Sequence, residues 1–293
     1  MKDLKSLFLP LLALCLLSWS SAQTKFTGIA MSASVPSGWQ IQEENYGQIL
    51  MSNPNVQGAL MFVEHGWYNE QMILQNMQQN IQEEGFQAAL ASDVMQLENG
   101  NYIALYQGYA GQQEVIIVAV VSQSKLWQIG GVMTLILVTA EQFNDNFQNM
   151  AVEVSNTIRY RSFMSKEAQQ KANMFKGRKL IRYSSYYTSD WANTVSVGSS
   201  SKTTINFCSS GKFIFDGYSD FSAGGGAFDG QVSSSNTEGV GLWSLMVVNN
   251  YMVIRLVSLA GEVNYMPIES YTDEGYYYIN GDKWAIGGSS VCN

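Results

Sequence analysis

From Phe175 to the end of the chain, apolar and polar residues alternate in short runs, with no amphipathic helix among them. The runs are Arg178–Tyr186, Thr203–Cys208, Lys212–Asp216, Gly241–Val248, Met252–Ser258, Glu262–Glu269, Tyr276–Ile279 and Asp282–Ile286. A period of two places alternate side chains on opposite faces, so each run predicts a β-strand with one buried face. Asn280-Gly281 is the strongest short hairpin signal, and Ser209-Ser210-Gly211 marks another tight turn. About eight antiparallel strands joined this way close into a small up-and-down barrel or stack as a sandwich.

The cysteines tighten this reading. Cys15 lies in the N-terminal leader, which leaves Cys208 and Cys292 as a pair. Such a pair on an exported chain predicts one disulfide, tying the C-terminus back onto a strand. The leader has three parts: Lys2 and Lys5, then an apolar core from Leu7 to Leu17, then Ser20-Ser21-Ala22. That pattern predicts a secretory signal over residues 1–22, cleaved near Ala22-Gln23. The bulky Leu14 before Cys15 fits a lipid-anchor site poorly. The expected location is periplasmic or extracellular, without a transmembrane segment, because later apolar runs such as 115–121 and 132–138 are too short to span a bilayer.

Charge excludes one class of partner. The formal net charge is −8, and residues 23–160 hold only Lys25, Lys125 and Arg159 as cations. No basic face is available for a phosphate backbone, so nucleic acid is not an expected partner.

Residues 23–160 have a different texture, mixing strands with two helices. The first helix is predicted from Glu70 to Glu84, capped by Asn69 and stopped by Gly85, with Ile73, Leu74, Met77 and Ile81 as its apolar stripe. Thr139-Ala140-Glu141-Gln142 reads as a capping box that opens the second helix, whose apolar face is Phe143, Phe147, Met150 and Val154. Between them lie strand signals at 88–96, 102–109, 114–121 and 126–138. Several are apolar on both faces and must be covered on both. Residues 161–174 read as a linking helix that starts near Ser165. The predicted class is therefore α+β. An antiparallel sheet flanked by helices (23–160) and a helical linker (161–174) precede an all-β barrel of about eight strands (175–293).

Each half has a familiar look. Val35-Pro36-Ser37-Gly38-Trp39 ahead of a strand pair, the helix after Trp67, and the closing helix ending in Ser155-Asn156-Thr157-Ile158 make residues 26–160 resemble the PsbP-like family. That resemblance implies an α/β/α sandwich working through protein contacts. In the second half the pointers are Gly177-Arg178-Lys179-Leu180, the hairpin Phe207 to Phe213, Gly241-Leu242-Trp243, and Tyr277 to Asp282. They resemble bacterial lipocalin-like (calycin) barrels, which implies a closed barrel. Where a lipocalin carries Trp two residues after the opening Gly, this chain has Lys179.

Catalytic constellations are thin. His65 is the only histidine, and its neighbour Glu64 falls on the opposite face of a strand, so no triad forms there. Ser-x-x-Lys occurs at Ser122/Lys125, Ser199/Lys202 and Ser209/Lys212, all in predicted strands or turns rather than at a helix start. One His and two paired cysteines make no zinc site, and the acidic pairs lack calcium-loop spacing. Ala223-Gly224-Gly225-Gly226 precedes no helix and reads as a loop at the barrel rim. Neither a catalytic residue, a metal site nor a cofactor is expected. Phe213, Phe215, Trp243 and Tyr265 are the candidate side chains for the barrel interior, where they either fill it or line a ligand cavity.

The sequence therefore predicts a non-enzymatic exported protein of two domains, an interaction or assembly module followed by a lipocalin-like barrel. The alternative is a carrier of a small apolar ligand in the barrel. A hydrolase working through carboxylates alone is the third reading.

Overall fold

The strand Gln113–Gln123 alternates between two cores: Val118 and Val120 point to one, Ile117, Ala119 and Val121 to the other. A strand apolar on both faces holds only at the centre of a covered sheet, and that is its place in the computed structural model. The structure describes residues 25–27, 30–83, 85–127, 129–163, 165–188, 197–217, 220–221, 232–233, 239–248 and 251–292. The predicted leader (1–22) and the Gly224–Gly226 loop lie outside them.

The central strand pairs antiparallel with Tyr102–Ala110 on one side and Gly131–Thr139 on the other, and the latter continues to Val56–His65. Flanking strands complete a nine-stranded antiparallel sheet. Helix α1 (Glu70–Met77) covers one face through Ile73 and Met77. Helix α2 (Asp145–Thr157) covers the other through Phe147, Ala151 and Val154. A small sheet of Lys25–Thr27, Met31–Ser34 and Arg159–Tyr160 extends that second layer.

Both helices are shorter than the spacing predicts. Helix α1 ends at Met77, where the Tyr106 hydroxyl donates to the Met77 carbonyl at 2.5 Å. Ile81–Glu83 leaves the helix to pair with Phe86–Leu90 at the sheet edge. Helix α2 starts at Asn144, whose side chain accepts from the Asn146 N–H. Thr139 is committed to the strand, paired with Val115. Gln142 Oε1 accepts from the Gln57 N–H at 2.7 Å and the buried Thr139 hydroxyl makes no hydrogen bond, so no capping box forms.

Helix α3 (Lys166–Ala172) begins where expected, with Ser165 accepting from the Ala168 N–H. Beyond it eight strands close an antiparallel barrel in chain order, from Arg178–Thr188 to Asp282–Gly288, with the first strand paired to the last. Closure removes both sheet edges. Phe175, just after α3, is fully buried in the barrel core, packed against Phe207 and Tyr277 with ring centroids 5.8 and 5.4 Å away. That end of the barrel is plugged by protein. Among the described residues no helix is long and apolar enough to cross a membrane.

The disulfide forms at the same end. Cys208 and Cys292 are bonded, with Cα atoms 4.7 Å apart. The tail is held further by Ser289, which donates to Asn206 Oδ1 through its hydroxyl and to the Gly177 carbonyl through its N–H. In the chain-entropy account, closing a loop of this length stabilises by about 4–5 kcal/mol. Reduction of the native protein is expected to speed amide exchange first in 175–180, 203–208 and 286–292 while the core of the nine-stranded sheet stays protected. Two titratable thiols in the unreduced native protein would contradict the bridge.

Candidate functional site

The strand Val56–His65 carries its single charge at Glu64, one residue before its end, and the barrel strand Tyr251–Ser258 carries a single charge, Arg255, in its middle. The fold brings these two residues together across the seam between the domains. Glu64 and Arg255 have side chains only 5% and 6% exposed. Arg255 Nε donates to Glu64 Oε1 at 2.6 Å, and Nη2 lies against the same oxygen as the second arm of the ion pair. The Tyr265 hydroxyl donates to Glu64 Oε2. Both carboxylate oxygens are thus engaged by the barrel.

The pairing register explains why. Arg255 lies opposite Tyr265 on adjacent barrel strands, so both point out of the same wall. Ile254, Leu256, Met266 and Ile268 point inward to the barrel core. The sheet domain and linker then roof the guanidinium with aromatic rings. Its carbon lies 4.2 Å from the centroid of Phe163 and 5.6 Å from that of Trp127. These two rings pack on each other at 4.5 Å, and Trp127 Nε1 donates to the Arg161 carbonyl at 2.8 Å.

Backbone meets backbone beside the ion pair. The Gly66 N–H donates to the Gly261 carbonyl at 2.9 Å. A Cβ on Gly66 would sit 2.3 Å from Val257 Cγ1 and 2.8 Å from that carbonyl, so only glycine permits the approach. Gly47 does the same under the Tyr265 ring, where a Cβ would come within 2.6 Å.

Burial sets the electrostatics. It raises the Glu64 pKa above the usual carboxylate value, and the Arg255 charge and the Tyr265 hydrogen bond pull it back. Tyr265 is held well above its ordinary value, first by burial and then by the Glu64 charge. His65 is lowered to about 4, again chiefly by burial. Its ring is fully used as a neutral group: Nε2 faces the Ser122 carbonyl at 3.1 Å, and Nδ1 accepts from the Trp67 N–H at 3.3 Å. The imidazole stacks on Trp67 with centroids 4.7 Å apart. A base with both nitrogens occupied and a depressed pKa is poorly placed to take a substrate proton.

A groove opens along the seam on the Arg255 side, with a volume of about 360 Å³. Trp127, Phe163 and Leu242 line it, and Ser244, Lys176 and the Ser209–Gly211 turn complete the wall. On the Glu64 side lies a cavity of about 40 Å³, bordered by Tyr265 and Met246. That is room for a water or two. Among the described residues, no three His, Cys, Asp or Glu side chains gather as a metal site.

The expected interior side chains divide. Phe213 and Trp243 are buried in the barrel core, and Phe215 packs against it partly buried. Tyr265 is corrected: it faces outward to Glu64, because the inward positions of its strand are the even-numbered Met266 and Ile268. Sequence reasoning passed over Glu64 and Arg255 as site residues. Their signal was present, since a lone charge in a run that must be buried on both faces requires a partner. No family model matches the chain, and neither does any curated protein.

Two outcomes follow. Glu64→Ala leaves Arg255 buried without its counter-charge and is expected to cost about 3–5 kcal/mol in chemical denaturation. Gly66→Ala forces the seam apart and is expected to cost about 1–3 kcal/mol, with faster amide exchange on both sides of the seam. The pH dependence has a defined sign. His65 binds its proton more weakly folded than unfolded, so its contribution is complete above about pH 6.5 and is lost as pH falls toward 4. The full span corresponds to roughly 3 kcal/mol. Glu64, with a raised pKa, works in the opposite sense. Urea midpoints at pH 7 and at about pH 4.5 should therefore fall less in His65→Gln than in the parent protein.

Proposed function

We propose that this is an exported, non-enzymatic binding protein in which the sheet domain and the barrel act as one rigid body through contacts on their surfaces. The observation that carries this reading is the Glu64–Arg255–Tyr265 junction. Two domains joined by a desolvated ion pair and a direct backbone hydrogen bond are held in one fixed relative position. A hinged enzyme that closes on its substrate would need that junction to open and would strand two charges each time.

The architecture supports this reading at the level of layers. Helices on both faces of an antiparallel sheet fit the PsbP-like pattern of a module that works through protein contacts. The closed eight-stranded barrel fits a lipocalin-like body. The barrel interior supports a structural role over ligand carriage, because Phe175, Phe207, Trp243, Tyr277 and Trp284 are all buried in it. Export agrees with the disulfide, which persists in oxidising compartments. The predicted leader adds to this.

The test is a broad hydrolase screen on the intact, disulfide-bonded protein, including glycoside, ester and peptide substrates. No turnover above a heat-denatured control is expected. Turnover that disappears on changing His65, Glu64 or another acidic residue would overturn the proposal.

A further inference from the structure

Charge is not spread evenly over the barrel. The whole sequence holds 24 acids against 16 Lys and Arg. Four adjacent barrel strands reverse that balance: Tyr276–Ile279, Asp282–Gly288, Arg178–Thr188 and Val197–Phe207. Together they carry five cations and one acid, and that acid, Asp282, is ion-paired with Arg182. In the closed strand order, Arg178–Thr188 and Val197–Phe207 lie across the barrel from the two strands that hold Arg255 and Tyr265. The wall they form therefore faces away from the sheet domain.

Parity decides what this wall presents. Leu180, Ile205, Tyr277 and Trp284 belong to the barrel core, so Lys179, Lys202 and Lys283 point outward, with Tyr183, Tyr276 and Tyr278. Tyr278 lies opposite Lys283, and Tyr183 lies opposite Lys202. Lys283 and Tyr183 each sit one step beyond the paired Trp284 and Arg182. Tyrosine and lysine thus alternate across four strands, and like groups recur at about 10 Å, two strand spacings. The Lys283 ammonium stands 3.7 Å from the Tyr276 ring centroid, and that of Lys202 stands 5.9 Å from Tyr183. None of the three lysines is ion-paired with a described acid. Tyr183 is 68% exposed. Two acids border the wall: Asp216 opposite Thr204 on the next strand, and Glu269, which accepts from the Gly281 N–H.

We infer that this wall docks an acidic polysaccharide, a chain of sugar rings bearing carboxylates. The inference deepens the binding role proposed above and rests on it. The lysines meet the carboxylates, and the tyrosine rings pack against the apolar faces of the sugars. Three outward lysines are too few for the dense charge of a phosphate backbone. A bilayer fits less well, because the aliphatic side chains at outward positions, Ile181 and Ala285, are both half-buried and cannot insert. The wall lies outside the barrel interior and does not depend on that interior being hollow.

The probes are three polymers, each titrated by calorimetry into the full disulfide-bonded protein. Polygalacturonate has rings and charge, its fully methyl-esterified form keeps only the rings, and polyacrylate keeps only the charge. Expected are binding of polygalacturonate, weaker binding of the other two, and loss of binding as salt rises to about 0.5 M. Lys202→Glu combined with Lys283→Glu is expected to weaken polygalacturonate about tenfold or more and the ester less than about twofold. Tyr183→Ala should weaken polygalacturonate and the ester and leave polyacrylate unchanged. All three side chains are exposed, so the variants are expected to melt with the parent protein. The inference is overturned if polygalacturonate does not bind, or if the double charge reversal leaves its affinity unchanged. It is also overturned if polyacrylate binds as tightly and Tyr183→Ala changes nothing, or if phosphatidylglycerol vesicles bind in place of the polysaccharide. Cleavage of bound polygalacturonate would overturn the non-enzymatic reading alone and leave this wall as the face that holds the polymer.

Discussion

The rest of the molecule is arranged around a single buried charge pair. Taking Glu64 and Arg255 out of water costs several kcal/mol for each ion, and their attraction offsets this only with good geometry and every remaining hydrogen-bonding group engaged. Tyr265 supplies the second bond to the carboxylate, and Phe163 and Trp127 shield the guanidinium. A pair of this kind contributes little net stability compared with an apolar contact. What it contributes is registry, because any other docking of the two domains would leave one charge buried and alone.

That registry propagates outward. The barrel strand Tyr251–Ser258 is buried on both faces: Ile254 and Leu256 in the barrel core, Val253, Arg255 and Val257 on the outer wall. One wall of the barrel has become part of a second core. The close approach of Gly66 to Gly261 follows from the same geometry, and so does the linker, whose Phe163 covers the ion pair before α3 turns onto the barrel end. A groove of about 360 Å³ runs along the same seam, lined by Trp127, Phe163, Leu242, Lys176 and Arg255.

Local patterns carried much of this. Period-two alternation, the Asn280-Gly281 turn and the lone cysteine pair were enough to read eight antiparallel strands and their bridge, because each rests on neighbours in sequence or on a forced pairing; closure into a barrel rather than a sandwich is set by the pairing of the first strand with the last. Ser165 was legible as the cap of α3 for the same reason. The errors lie where a distant group competed for a local one. Tyr106 takes the Met77 carbonyl and ends α1 early. Gln57 takes the Gln142 side chain and removes the capping box at Thr139. Tyr265 looked like a barrel-interior aromatic because its strand register could not be read from composition, and one step of register sends a side chain to the other face.

The amino-acid sequence by itself determined the all-β character of the second half and its eight strands, the bridge between Cys208 and Cys292, and the absence of a basic face. These follow from periodicity, spacing and charge count, which are properties of neighbours along the chain. Only the tertiary structure decided that Glu64 and Arg255 meet, that Tyr265 joins them, that His65 is a fully bonded neutral ring, and that a groove lined by Trp127, Phe163 and Leu242 lies beside them. Glu64 and Arg255 are separated by 191 residues. No local propensity links them; they are joined by the requirement that a charge buried in one domain find its counter-charge in the other.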